Sequence, residues 1–166
     1  MPAVTQITKQ GFAFVFNRLT GEPVWEIEER AVPASTIPGE VASATQPFPT
    51  KPAPFDRQGA LEDNLIDFTP ELREQALAIF NQYVTGPLFT PPSLRDESPG
   101  GTLGTIQLPG SQGGADLQGA AFDPLSGMLY IPSITAPFIA DIELGDPEVT
   151  NLRYVKGARR WIGGPQ

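Results

Sequence analysis

VFNRLTGEPVW at residues 15–25 and AFDPLSGMLYI at residues 121–131 are two copies of one pattern. Each copy has Asn or Asp at its third position, Thr or Ser followed by Gly at its sixth and seventh, and a large apolar residue at its end. Asn, Asp, Ser and Thr side chains bond to turn backbone, and Gly takes the left-handed conformation. The pattern predicts strand, turn, strand, and its recurrence is typical of propellers, with the large apolar residue packed between neighbouring sheets.

The sequence around these copies divides into three regions, 1–30, 31–100 and 101–166. In residues 1–30, alternating and aromatic runs predict two strands, and a third is expected at residues 23–27, which would complete a meander. Residues 101–166 return to the same short-strand pattern, with an incomplete C-terminal end. The 19 prolines and 17 glycines of the 166 residues favour many turns and few long helices.

Residues 31–100 form a Pro-rich insertion in which the prolines are expected to prevent any regular strand pairing. One helix is expected within it near residues 70–84, because Thr69 suits the N-cap and Pro70 the first helical position. Gly86-Pro87 would end the helix. The apolar residues that share one helical face are Leu72, Ala76, Ile79, Phe80 and Tyr83.

Composition excludes several classes of function. The chain contains no Cys and no His, so thiol nucleophiles, Cys/His zinc sites and His-based triads are absent. The net charge of −8 argues against nucleic-acid binding, and Arg159-Arg160 is too short a basic cluster to reverse this. No apolar run is long enough to span a membrane, and residues 1–5 resemble the start of a strand instead of a signal peptide. We therefore expect a piece of a larger protein.

The first copy closely resembles the tryptophan-docking motif of quinoprotein dehydrogenase propellers, A-x-D-x-x-T-G-x-x-x-W. Thr20, Gly21 and Trp25 match that motif, while Val15 and Asn17 replace its Ala and Asp. The second copy has Ser126 and Ile131 in place of Thr and Trp. Further segments resemble the membrane-bound, glucose-dehydrogenase-like members of this family, and they lie at residues 8–12, 45–49, 89–93 and 101–103.

This resemblance implies an all-β fold, a partial β-propeller of about two blades from an eight-bladed quinoprotein propeller, with the Pro-rich insertion between them. The family oxidises a sugar or alcohol by hydride transfer to pyrroloquinoline quinone (PQQ), while calcium polarises the quinone and a carboxylate takes the hydroxyl proton. The partners implied are the substrate, a quinone electron acceptor and the rest of the propeller. The location implied is the periplasm or the periplasmic face of the inner membrane.

Lys9 matches the family's cationic residue that bonds the quinone oxygens, so the resemblance makes it the catalytic and cofactor-binding candidate. The alternative is an exposed edge-strand lysine that discourages edge pairing. Asp116 stands where many relatives have a cofactor-binding Asn, and Leu117 stands at their Trp. Asp cannot donate an amide N–H, and the alternative for Asp116 is a turn-capping residue.

Other parts of the family's site have no counterpart here. No acidic residue precedes Lys9, so the catalytic Asp is missing, and the family's calcium ligands come from other blades. The acidic residues Glu62, Asp63 and Asp67 are interpreted as solvated or helix-flanking charges, so no metal ligand is assigned. The chain alone is therefore expected to be an inactive dehydrogenase fragment.

Two other hypotheses remain open. The departure at Asp116 and Leu117 from the family's pattern suggests a non-catalytic propeller module for binding or scaffolding. A self-contained small β domain that assembles through its open strand edges is the third possibility.

Overall fold

The computed structural model describes residues 1–115 and 118–157, and these are mostly strands and turns with a single α-helix. The strands of this part of the chain are β1 Ala3–Ile7, β2 Ala13–Asn17, β3 Ile27–Ala31, β4 Thr45–Pro49, β5 Ser93–Leu94, β6 Thr105–Gln107, β7 Ala121–Asp123, β8 Met128–Tyr130, β9 Phe138–Leu144 and β10 Tyr154–Lys156. The helix, α1, spans Pro70–Phe80, and a short 3-10 helix spans Glu62–Asn64. Asp116, Leu117 and Arg159-Arg160 lie outside the described residues.

Strands β1 and β2 form an antiparallel hairpin that is buried at the end next to its turn, where Ile7 pairs with Ala13. The register runs from Ala3 opposite Asn17 to Ile7 opposite Ala13. Ile7 and Ala13 pack with Ala115 in a small buried cluster, so the hairpin contacts a loop about a hundred residues further along the chain. The end of the hairpin that carries the turn is therefore the end fixed by tertiary contacts.

The two motif copies adopt the same strand register. In the second copy, the β7–β8 hairpin pairs Phe122 with Leu129. The equivalent pair of the first copy, Phe16 and Pro23, forms an isolated antiparallel bridge. The predicted strand, turn, strand is thus confirmed in the second copy, and the first copy keeps its register over a shorter ladder.

The turns of the two copies also share their hydrogen bonds. The side chains of Asn17 and Asp123 each accept a bond of 2.9 Å from the N–H two residues later. Gly21 and Gly127 donate back to the carbonyls of these two residues, and their φ angles are 77° and 71°. Since L-residues rarely adopt such φ values, glycine is the residue that this turn requires.

The third strand of the expected meander was wrongly placed. It was predicted at residues 23–27 beside β2, but β3 begins at Ile27 and pairs with β4 instead. The pairing with β2 continues to Val24, whose N–H donates to the Val15 carbonyl at 2.8 Å, and the chain then bends at Val24 and Trp25. Trp25 is 39% exposed, so within the described residues it lacks the full packing between sheets expected of it.

The expectation that prolines prevent strand pairing in the insertion was also wrong. Strand β4 contains Pro47 and Pro49, which lie opposite Glu29 and Ile27 of β3. Among residues 1–115 and 118–157 the β3–β4 sheet has two strands, so β4 is an edge strand there. A proline whose nitrogen faces away from the partner strand removes no ladder hydrogen bond, which is why edge strands tolerate it.

Helix α1 begins where the sequence predicts and ends earlier. The Thr69 hydroxyl accepts a 3.3 Å bond from the N–H of Leu72, and Pro70 occupies the first turn. The helix stops at Phe80 instead of near residue 84, because Asn81 caps it and the next residues form tighter turns. The buried side of α1 contributes Phe80 to a second cluster, whose other buried members are Ala60 and Ile106.

Strand β9 is the centre of a four-stranded sheet. It pairs antiparallel with β10 and β6 and parallel with β5. Within the described residues, no helix has the length and apolar character needed to cross a bilayer. The mostly-β architecture with one helix in the Pro-rich insertion agrees with the prediction.

Gly59 and Gly39 provide a matched test of how tightly the insertion packs. Both have positive φ, 84° and 91°, but a Cβ on Gly59 would lie 2.9 Å from the Gly86 carbonyl, whereas a Cβ on Gly39 meets nothing within 4 Å. We expect Gly39→Ala to cost about 1–2 kcal/mol of unfolding free energy from backbone strain alone. Gly59→Ala should lower the free energy of unfolding by more than Gly39→Ala does, because the backbone at Gly86 and Pro87 must move to make room for the new Cβ. Urea unfolding of both variants measures the difference, and equal losses would contradict the packing.

Candidate functional site

Lys9 lies in the turn that joins β1 to β2. The turn is closed by the N–H of Thr8 donating to the Phe12 carbonyl at 2.9 Å and by Gly11 donating to the Thr8 carbonyl at 3.1 Å. Gly11 has a φ of 84°. Because Lys9 lies in a turn and not within a strand, the role of an edge-protecting lysine does not describe its position.

The Lys9 turn is packed directly against the glycine-rich loop at residues 110–115. The N–H of Gly114 donates to the Lys9 carbonyl at 2.9 Å, and the Lys9 ammonium donates to the Ser111 carbonyl at 3.4 Å. A Cβ on Gly113 would lie only 2.6 Å from the Lys9 Cβ. Glycine at position 113 is therefore what allows the two loops to approach so closely.

Lys9 borders a cleft of about 210 Å³, which we call the Lys9 cleft. Apolar side chains form much of its wall, and they are Leu88, Phe89, Ile106 and Leu108. The exposed Lys9 ammonium is the cationic group among its lining residues. An apolar cleft with a cation on its border suits a molecule that combines apolar surface with an anionic or carbonyl oxygen.

Phe89, in the wall of the Lys9 cleft, was not singled out from the sequence as a site residue. Its φ of 68° is in the left-handed region, which is rare for a bulky side chain. Its ring packs edge-to-face on Phe48 of β4, with centroids 5.6 Å apart. The β3–β4 hairpin thus supports one wall of the cleft through an aromatic contact.

A second and larger cavity, of about 370 Å³, lies beside helix α1. It is lined by apolar side chains that include Leu65, Ile79 and Phe80. Lys9 does not line it. We place the candidate site in the smaller Lys9 cleft, because that cleft contains the cationic group that the sequence singled out.

Asp56 is a hydrogen-bonding centre that the sequence analysis missed. Its two carboxylate oxygens accept bonds from the hydroxyls of Ser133 at 2.5 Å and Thr135 at 2.6 Å, and from the N–H of Arg57 at 2.7 Å. Partial burial acts to raise the pKa of Asp56, but these bonds and the Arg57 charge outweigh it and hold the pKa below the ordinary value.

The acidic residues Glu62, Asp63 and Asp67, to which the sequence assigned no metal, do not line the Lys9 cleft. Asp116 lies outside the described residues. Glu62, Asp63 and Asp67 are exposed, and Glu62 forms an ion pair of 3.2 Å with Arg73 of α1. Across residues 1–115 and 118–157, no group of three or more carboxylates lies close enough together to hold a metal ion.

The Asp56 carboxylate should make stability depend on acid pH. A carboxyl with a lowered folded-state pKa stabilises the fold above its unfolded pKa, and this contribution is lost as the pH falls through the folded value. We expect the unfolding free energy to decline below pH about 4. The decline should be smaller in Asp56→Asn, measured by urea unfolding at a series of pH values. Identical pH profiles would contradict this.

Comparison with known proteins gives one family and several curated relatives. The family model described as PQQ: Glucose/ethanol/alcohol dehydrogenase, beta-propeller domain, matches residues 1–161. A glycerol dehydrogenase large subunit of Gluconobacter oxydans (strain 621H) is 32% identical over 130 residues, which cover 78% of this chain and 17% of the relative. The quinoprotein glucose dehydrogenase A of Acinetobacter calcoaceticus is 28% identical over 168 residues, covering 95% of this chain and 19% of the relative.

A third relative is the quinate/shikimate dehydrogenase (quinone) of Acinetobacter baylyi (strain ATCC 33305 / BD413 / ADP1). It is 30% identical over 130 residues, covering 78% of this chain and 15% of its own length. The chain thus spans less than a fifth of the length of these three curated relatives. No solved structure matches the chain significantly.

Proposed function

Because the chain belongs to the family of PQQ-dependent glucose, ethanol and alcohol dehydrogenase β-propellers, we propose that it forms part of a dehydrogenase that oxidises a sugar or an alcohol. Family membership agrees with the partial propeller predicted from the two motif copies. The short share of each relative that the chain covers supports a role as a portion of a larger propeller. The other blades of that propeller would be its structural partner.

The observation that carries the proposal is the Lys9 ammonium beside the apolar wall of the Lys9 cleft. PQQ, when bound, supplies the redox chemistry by accepting a hydride and gaining negative charge on its oxygens. Lys9 fits such a group, since an ammonium donates charge-assisted hydrogen bonds to oxygens that become more negative. Leu88 and Phe89 would exclude water from one side of the ring system.

Several parts of the reaction are assigned to other segments of the propeller. A lysine ammonium has donors and no acceptor, so the role proposed for Lys9 is not that of the base that takes the substrate proton. We therefore place the proton-accepting carboxylate and the calcium ligands on blades beyond this chain, and we expect this chain alone to be inactive. Electrons would pass to a quinone acceptor, and the periplasmic location implied by the family is part of this proposal.

A non-catalytic propeller module remains the alternative, and Asp116-Leu117 is the observation that favours it. Asp accepts hydrogen bonds but cannot supply the amide N–H of the Asn found in many relatives. This alternative predicts that the complete propeller neither binds PQQ nor reduces a dye.

The first test is to sequence the DNA that flanks this reading frame. The proposal expects further propeller repeats in the coding sequence and an Asp upstream of Lys9. The complete protein, supplied with PQQ and calcium, should then reduce a redox dye in the presence of a sugar or an alcohol. Flanking DNA without propeller repeats would contradict the role as a portion of a dehydrogenase, and a complete propeller without turnover would favour the scaffold alternative.

Lys9→Met, made in the complete propeller, tests the residue assigned to the cofactor. Loss of one donor aimed at developing negative charge is expected to lower kcat by about 10²-fold or more. Lys51→Met is the matched control, because Lys51 is also exposed but does not line the Lys9 cleft. Steady-state dye reduction gives kcat for both variants. Equal activities would show that Lys9 does not contact the quinone.

A further inference from the structure

Four loops that are distant in sequence meet beside Lys9. They are residues 8–12, 55–58, 110–115 and 132–135, and they hold one another mainly through backbone groups. The N–H of Phe55 donates to the Gly11 carbonyl at 2.9 Å, and the Gln58 amide donates to the Gln10 carbonyl at 2.7 Å. The Lys9 turn is therefore attached on one side to the loop that carries Asp56.

The other side of the Lys9 turn is attached to the glycine-rich loop. Gly114 donates to the Lys9 carbonyl at 2.9 Å, and its own carbonyl accepts a bond of 2.7 Å from the N–H of Ile134. The loop at 132–135 is thus joined to the Lys9 turn through Gly114. What joins this loop to residues 55–58 is the side chain of Asp56, which accepts hydrogen bonds from the hydroxyls of Ser133 and Thr135.

These bonds form a closed ring of loops around Lys9, and the Asp56 carboxylate makes the connection between residues 55–58 and 132–135. We propose that Asp56 is a positioning residue that fixes the Lys9 turn at the Lys9 cleft. The role deepens the proposed function, because it concerns the orientation of the cation assigned to the quinone. No contact with the cofactor is assigned to Asp56 itself, because it does not line the Lys9 cleft.

The packing around Asp56 supports this role independently of its hydrogen bonds. A Cβ on Gly114 would lie 2.5 Å from an Asp56 carboxylate oxygen, and a Cβ on Gly11 would lie 3.3 Å from the Asp56 Cβ. Asp56 therefore fills the space between the Lys9 turn and the glycine-rich loop. Loss of the carboxylate would break the connection between residues 55–58 and 132–135, so that the backbone bonds at Gly11 and Lys9 alone would hold the turn.

Lysine methyl NMR tests the proposal without any cofactor. The chain has three lysines, Lys9, Lys51 and Lys156, and reductive ¹³C-methylation labels each ammonium while keeping its charge. The Lys9 signal is assigned as the one lost in Lys9→Arg. We expect Asp56→Asn to shift the Lys9 signal by more than its line width and to leave the other two in place.

Asp123→Asn is the matched control, because Asp123 also accepts a hydroxyl hydrogen bond, from Ser126, but within its own hairpin turn. It should leave the Lys9 signal unmoved. The double variant Ser133→Ala, Thr135→Ala removes the two donors from exposed positions and should reproduce the Asp56→Asn shift. An unmoved Lys9 signal in both Asp56→Asn and the double variant would overturn the proposal. Three coincident lysine signals in the unsubstituted chain would also overturn the proposal. A Lys9 ammonium held beside the joined loops should give a signal distinct from those of the other two lysines.

Titration of the complete propeller with PQQ separates this inference from the proposed function. If both hold, Asp56→Asn weakens PQQ binding about tenfold or more, in the same direction as Lys9→Met, and Asp123→Asn does not. If the unsubstituted propeller does not bind PQQ while the Lys9 signal still responds to Asp56→Asn, the proposed function fails and the positioning role stands. Tight PQQ binding by Asp56→Asn, despite a moved Lys9 signal, would overturn the link between the two.

Discussion

Strand β6 is held by backbone hydrogen bonds to two different parts of the chain, and much of the fold depends on it. It pairs antiparallel with β9, and it bridges to Val84 through bonds of 2.9 Å at Gly104 and Ile106. Thr105, at its start, is completely buried and bonds to the Pro91 carbonyl and to Ser93. This strand therefore fastens the helix-bearing insertion to the central sheet, and its Ile106 lines both cavities.

The close packing at β6 explains why particular small residues stand there. Gly104 has a φ of 114°, and a Cβ on it would lie 2.7 Å from the Cβ of Asp141 on β9. Asp141 is buried, and its nearest cation is Arg95 at 3.9 Å among the described residues. A buried carboxylate costs free energy unless it is compensated, so this part of the sheet tolerates little change in volume or charge. Through Ile106, this closely packed strand lines the Lys9 cleft, and the turn that carries Lys9 borders the same cleft.

Local features were the ones that the sequence predicted well. The β7–β8 hairpin and the start of α1 follow from contacts within a few residues, such as the turn bonds of Asp123 and the N-cap of Thr69. Lys9 was singled out through a resemblance to a family segment, and its role stays a prediction. The β3–β4 pairing was missed because proline tolerance depends on whether a strand is at an edge, which composition does not reveal. Asp56 was missed because its hydroxyl donors lie 77 and 79 residues away.

The separation of the loop partners has a consequence for synthesis on the ribosome. Lys9 and the Ser111 carbonyl that it contacts are 102 residues apart. Asp56 and its hydrogen-bond donor Ser133 are 77 residues apart. At about 5–20 residues per second, Ser111 is polymerised roughly 5–20 seconds after Lys9. The β1–β2 hairpin can close within microseconds of its emergence, whereas the surroundings of its turn cannot exist until translation is well advanced. The nascent chain therefore carries Lys9 as an exposed side chain long before the Lys9 cleft can form beside it.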